Sequence, residues 1–183
     1  GEKEPKEVNI AFLAPTGREQ PYVASALQAI ERLQKEKPHG LKINVDVREK
    51  INFPDAEQIL RTLAESGKYD IIWNHANWAD AVEKAETFHL EQLWVMSGYG
   101  NHAIGDNAYW VDMTIREPAY LVGIIAAMMT KKDTIGIVAG SPTEDITPTI
   151  HGLVDGARSV TPKIRYIITY IVSPFDPPKA KEA

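Results

Sequence analysis

The stretch Arg116–Pro162, REPAYLVGIIAAMMTKKDTIGIVAGSPTEDITPTIHGLVDGARSVTP, decides the architecture of this chain. It reads as a helix, a charged link, a buried strand, a polar loop and a second helix. Pro118 suits a first helical turn, where its missing N–H leaves no bond unmade. Beyond it Leu121, Ile124, Ile125 and Met128 recur at helical spacing, while Gly123, Ala126 and Ala127 allow close packing. Lys131, Lys132 and Asp133 interrupt the apolar run before Ile135-Gly-Ile-Val-Ala139, a short buried strand. Gly140-Ser-Pro-Thr-Glu-Asp145 then leads into a helix expected to be capped by Thr147, with Pro148 following the cap. The order places a loop beyond a strand's carboxyl end, where open α/β sheets usually bind ligands.

Outward from this stretch the same alternation fills the chain. Residues 8–14 read as a buried strand, and 22–35 as a helix with Val23, Ala26, Leu27, Ile30 and Leu33 on its apolar side. Residues 41–47 form a second strand and 55–65 a helix that turns Ile59, Leu60 and Leu63 inward. A third strand at 69–73, a helix at 79–88 and short strands at 93–97 and 108–113 complete a first lobe over residues 8–130. Strands alternating with helices predict a doubly wound parallel sheet. Residues 131–134 are the crossing into a second lobe, 131–183. One helix and the strands 135–139 and 164–172 cannot cover both faces of their own sheet. The expectation is therefore the incomplete start of a second lobe: the chain is a fragment, the favoured reading, or another chain supplies the remaining half, or the protein is reorganised.

The totals narrow the function. With 183 residues, 44% of them hydrophobic and 25% charged, this is the composition of a soluble globular protein. A net charge of −5 with no basic stripe gives no footprint for nucleic acid. No apolar run is long enough for a membrane helix. The chain has no cysteine, which excludes disulfides, thiolate metal sites and a cysteine nucleophile. Residues 1–7 read as a disordered polar tail without the pattern of a signal peptide.

Three segments carry a family resemblance: Arg116-Glu-Pro-Ala-Tyr-Leu-Val-Gly123, Met129-Thr-Lys-Lys-Asp-Thr-Ile-Gly-Ile-Val-Ala-Gly140 and Gly152-Leu-Val-Asp-Gly-Ala-Arg-Ser-Val-Thr-Pro162. In content and order they resemble the basic membrane protein family, the PnrA-like substrate-binding proteins of nucleoside ABC transporters. The resemblance implies a type I periplasmic-binding-protein fold and a non-catalytic receptor. Two lobes would close on a nucleoside and present it to a membrane permease. It also implies an extracytoplasmic lipoprotein whose lipid-bearing cysteine would precede a tail such as residues 1–7. No cofactor is implied.

Candidate ligand contacts follow the strands. After the first strand come Arg18, Glu19 and Gln20 as hydrogen-bonding groups and Tyr22 at the family's stacking position. Val23 stands where the family has an asparagine, which puts its sugar contacts in question. Tyr22 either stacks on a base or covers the edge of the core. After the third strand, Asn74 and His75 can donate or accept in the same crevice, and Trp78 can offer a flat face to a purine. Asp80 matches the family loosely and is read rather as the cap of the next helix. Tyr99 follows the fourth strand within Ser97-Gly-Tyr-Gly. Trp73, Trp94 and Trp110 lie inside strand patterns and are assigned to the core. From the second lobe come Ser141 and, by resemblance, Phe175 as the opposite aromatic; Asp176 is read as a helix cap. The runner-up function is a ligand-sensing domain of a regulator with the same fold. No nucleophile elbow or Walker loop supports an enzyme.

Overall fold

The computed structural model describes residues 6–98 and 103–183. The chain divides into two compact units, Gly1–Asp112 and Met113–Ala183. In the first, strands β1 (Glu7–Leu13), β2 (Lys42–Arg48), β3 (Ile71–Asn74), β4 (Leu93–Gly98) and β5 (Ala108–Asp112) alternate with helices α1 (Pro21–Glu36), α2 (Phe53–Glu65) and α3 (Ala79–Phe88). All strands pair in parallel in the order β2-β1-β3-β4-β5. The chain leaves β1 toward one side of the sheet for β2, then returns to the other side for β3. The strand order thus reverses between β1 and β3, the place where such sheets open a crevice.

Side chains alternate across the pleat and so build two cores. On one face Phe12, Val45, Val47 and Trp73 meet Val23, Ala26, Leu27 and Ile30 of α1. On the other, Ala11, Leu13, Ile72, Trp94 and Met96 meet Ala56, Leu60 and Leu63 of α2 and Val82 and Ala85 of α3. Both faces are therefore wound, as the alternation predicts. Leu33, expected inward, is instead exposed near the end of α1. Helix α2 stops where Gly67 takes φ +61°, a left-handed turn that glycine adopts without strain.

The second unit holds α4 (Arg116–Met129), β6 (Thr134–Ala139), α5 (Ile146–Val160), β7 (Arg165–Tyr170) and the short α6 (Pro177–Glu182). Strands β6 and β7 pair in parallel. Ile137, Ala139 and Ile168 pack against Ile146, Ile150 and Val154 of α5. The unit boundary lies at Asp112–Met113, not near residue 130, because α4 belongs with α5. Its buried stripe is Ala119, Gly123 and Ala127, whereas Leu121, Ile125 and Met128 are exposed. The glycines explain the inversion. A Cβ on Gly152 would lie 2.5 Å from the Arg116 carbonyl oxygen, and on Gly123 or Gly156 it would overlap the carbonyl oxygen of Leu153 or Tyr120. Backbone meets backbone on this face, so large side chains turn away from it.

Two cap assignments change. Helix α5 starts from Asp145, leaving Thr147 inside the first turn with its N–H bonded to the Thr143 carbonyl at 2.9 Å. Asp176 does cap α6, accepting from the Lys179 N–H at 3.1 Å.

Candidate functional site

The tips of β1, β3 and β4 bring together Tyr22, His75 and Ser97, while Asn74 ends β3 in register with Leu13 of the opposite face. Pro21 opens α1 and sets Tyr22 in its first turn. There the Tyr22 hydroxyl donates to the Ser97 carbonyl at 3.3 Å. The chain continues past β3 in the sheet direction, since the His75 N–H donates to the Leu13 carbonyl at 2.7 Å. That bond carries the imidazole onto the α1 face. It lies flat on the Tyr22 ring, with centroids 3.9 Å apart and planes 12° off parallel, and Phe12 stands 5.1 Å away on a tilt.

Hydrogen bonds define the imidazole's state. The Trp73 indole N–H donates to Ser97 Oγ at 3.0 Å, and indole is a donor only. The Ser97 hydroxyl hydrogen is then free to donate to His75 Nδ1, 2.6 Å away. His75 Nε2 faces the Tyr22 carbonyl oxygen at 3.3 Å and must carry a hydrogen to bond there. The consistent assignment is a neutral imidazole protonated on Nε2.

Burial pushes the His75 imidazole below its ordinary value, with the hydrogen bond to Tyr22 opposing more weakly. The unfolded imidazole titrates at about 6.5. As pH falls, the unfolded chain takes up this proton before the folded chain does. The stability contributed by neutral His75 is therefore complete above the unfolded value and drains away toward the lower folded one. Between about pH 7.5 and 5.5 the wild-type melting temperature is expected to fall more than that of His75→Phe, measured by differential scanning fluorimetry. Equal slopes would count against a buried neutral imidazole.

Asn74 closes β3 with 1% of its surface exposed. Its Nδ2 donates to the Ala76 carbonyl at 3.0 Å, which fixes the amide's orientation, and its Oδ1 has no hydrogen-bond donor. Asn77 Oδ1 is a second buried acceptor without a donor. A Cβ added to Gly98 would touch Asn77 at 3.4 Å, placing that side chain beside the end of β4. Buried acceptors of this kind are rare in folded proteins.

The remaining candidates disperse. Arg18 and Glu19 are exposed and turn toward the loop after β2: the Arg18 N–H donates to Glu49 at 2.7 Å, and Glu19 faces Lys50 at 3.8 Å. Trp78 is only 7% exposed and joins the α2–α3 core, with the Phe53 ring edge-on at 6.5 Å. That packing leaves little ring surface for a ligand. The cap of α3 is Trp78, so Asp80 is an exposed first-turn residue rather than the cap. Tyr99 lies outside the described residues.

In the second unit, Ser141 and Phe175 both follow strand ends. The two loops adjoin there: the Val172 N–H donates to the Gly140 carbonyl at 2.7 Å, and the Phe175 N–H to Ser173 Oγ at 3.3 Å. Val172 holds φ +53° and is exposed, an unfavourable backbone for a β-branched residue. Val172→Gly is expected to stabilise the unit by about 1 kcal/mol, read from its thermal melt. No gain would mean that the turn is held some other way.

Ser97, Trp73 and Asn77 escaped the sequence reading. Ser97 and Trp73 are linked only by register: Trp73 pairs with Val95, two residues before Ser97 on the same face. Asn77 carried a weaker signal, an amide in the loop after β3.

A parallel sheet wound on both faces, with a polar and aromatic cluster at its switch point, is the fold of solute-binding proteins of the periplasmic-binding-protein type. Within that class the chain belongs to the Bmp family, described as ABC transporter substrate-binding protein PnrA-like, whose profile matches residues 7–183. It is 29% identical over 130 residues to a purine-binding protein of Brucella abortus, covering 70% of this chain and 36% of that one. Over 69 residues it is 41% identical to a Haloferax volcanii protein named as an ABC transporter glucose-binding protein, 38% of this chain and 18% of that one. An ABC transporter nucleoside-binding protein of Lactococcus lactis is 42% identical over 65 residues, 36% of this chain and 18% of that one. Among solved structures, a solute-binding protein of Aeropyrum pernix superimposes with TM-score 0.79 at 23% identity, over 94% of this chain and 50% of that chain. The chain therefore spans half or less of the length of each of these four proteins.

Proposed function

We propose that this chain is the ligand-binding part of a substrate receptor serving an ABC importer, and that its ligand is a purine nucleoside. The observation carrying this reading is the Tyr22 ring at the β1–β3 switch point, an aromatic face placed where open α/β sheets take ligands. Membership of the PnrA-like family and the purine-binding relative support a planar base. Asn74 Oδ1 and Asn77 Oδ1 are acceptors suited to a ligand N–H or O–H. Ser141 and Phe175 of the second unit are further contacts in this reading. Arg18 and Glu19 act at the outer rim, and Tyr99, Trp78 and Asp80 are the least supported. The receptor binds its cargo unchanged, passes it to a permease, and works outside the cytoplasm on a lipid anchor.

Calorimetric titration with adenosine, adenine, glucose and ribose tests the ligand class. Adenosine is expected to bind, and Tyr22→Ala to weaken it by about 5- to 150-fold, the worth of one base–aromatic stack. Binding of glucose without adenosine would replace the nucleoside by a sugar. Unchanged affinity in Tyr22→Ala would remove the stacking face.

A further inference from the structure

We infer that one end of the second unit, built by the α4–β6 and α5–β7 loops, is a docking surface for an anionic membrane. Lys131, Lys132, Lys163 and Arg165 meet the headgroups there, and Met128 and Met129 meet the acyl boundary. The inference goes beyond the receptor reading and does not depend on which ligand the chain carries.

Strand register brings the two loops together. β6 and β7 start level, with Thr134 opposite Arg165, and the Arg165 N–H donates to the Asp133 carbonyl at 2.9 Å. Lys131, Lys132, Lys163 and Arg165 are all exposed. Among the described residues the ion pairs of this unit are Arg116–Asp155 and Lys179–Asp176, so these four cations have no carboxylate partner. Arg158 adds a further cation, its guanidinium 5.4 Å from the centre of the Tyr166 ring. Asp133 is the one carboxylate in either loop. In a chain of net charge −5 this positive end is a local feature, and it complements a negative surface.

Apolar side chains flank the cations. Met128 and Met129, in the last turn of α4, are 72% and 74% exposed, and Val160 ends α5 at 44%. Thr130 fixes the loop beside them: its hydroxyl donates to the Thr134 carbonyl at 3.0 Å and accepts from the Lys132 N–H at 3.3 Å. The loop is therefore ordered before it meets a partner, and docking costs it little freedom. Basic groups beside exposed apolar ones are the composition that lies in a lipid interface. Lysine stems follow the apolar boundary while their ammonium groups stay in water. A purely acidic protein surface would satisfy the cations and leave the methionines in solvent; a membrane takes both. No helix among the described residues is long and apolar enough to cross a membrane, so this contact is peripheral. The loops holding Ser141 and Phe175 follow the other ends of the same two strands, which leaves them clear of the docked surface.

Vesicle flotation of the 183-residue chain tests the surface. Vesicles of equal parts phosphatidylcholine and phosphatidylglycerol are expected to carry the chain, and pure phosphatidylcholine to leave it behind. Each basic group near an anionic surface strengthens binding about five-fold, so Lys131→Gln with Lys132→Gln is expected to weaken it about 25-fold. Met128→Ser with Met129→Ser is expected to weaken it about ten-fold by removing apolar area. Lys179→Gln with Lys181→Gln alters two cations of α6, beyond the other end of β7, and should stay within about two-fold, since charges more than about 10 Å away are screened. Raising salt from about 0.1 M to about 1 M shortens that screening length to about 3 Å and should release the wild type. All substituted positions are exposed, and thermal melts check that the variants stay folded. Equal binding to both vesicle types, no binding to the anionic ones, or wild-type affinity in the lysine or the methionine pair would overturn the inference. Capture by an immobilised polyglutamate peptide, with indifference to vesicles, would replace the membrane by an acidic protein.

Discussion

Gly156→Val is expected to abolish cooperative melting of the second unit. Position 156 sits where α5 touches the backbone of α4, with the Tyr120 Cα 3.0 Å from the place of a Cβ and the Tyr120 carbonyl closer still. Overpacking against side chains costs about 1–3 kcal/mol because rotamers can yield. Here the obstacle is main chain, so the helices must separate. Separation would expose Ala119, Ala127, Val154 and Ala157 together. A unit of this size has only a few kcal/mol in reserve, about 0.05–0.15 per residue. Gly136→Ala is the control: nothing lies within 4 Å of its added Cβ, and its effect should stay within about 0.5 kcal/mol. Calorimetry, with hydrogen exchange on the β6–β7 amides, reads both. A Gly156→Val chain melting like wild type would contradict the close approach of α4 and α5.

Trp94→Ala should be the most damaging single truncation in the first unit. The indole is fully buried between β4 and the α2–α3 layer, and its N–H donates to the His89 carbonyl at 3.3 Å. Emptying such a site costs about 3–5 kcal/mol through lost transfer energy and the cavity left behind. The His89 carbonyl also loses one of its donors and keeps the Gln92 N–H at 3.1 Å. Trp73→Phe, by comparison, retains an aromatic ring and gives up the bond to Ser97, worth about 1 kcal/mol. Urea titration should lower the midpoint far more for Trp94→Ala than for Trp73→Phe. A reversed order would mean that the main core lies on the α1 face.

The alternation of elements was legible because each strand and helix declares itself within a few residues. Residues 79–88 form a helix as read, and the strand patterns holding Trp94 and Trp110 mark core or near-core positions. The unit boundary was not legible. Counting apolar spacing along α4 alone favours Leu121, Ile125 and Met128, whereas its packing face is set by glycines on another helix. The burial of Trp78 was not legible for a related reason. An aromatic after a strand suits a ligand face, but here it heads α3 and turns under Phe53. At the site, Tyr22, Asn74 and His75 could be named from their loops. Their connection to Ser97 depended on strand register, which no single segment carries. The partners of Arg18 and Glu19, Glu49 and Lys50, were not legible because they lie a whole strand and helix further along the chain.

The contact between α4 and α5 also governs how the second unit can move. Arg116 seats against Gly152, Tyr120 against Gly156 and Gly123 against Leu153, which fixes the two rods in one register. A one-turn slip would drive side chains into carbonyl oxygens, so intermediate positions are closed. The pair is built as a single stiff lever: a displacement of α5, into which the loop holding Ser141 leads, is expected to carry the first residues of α4 with it.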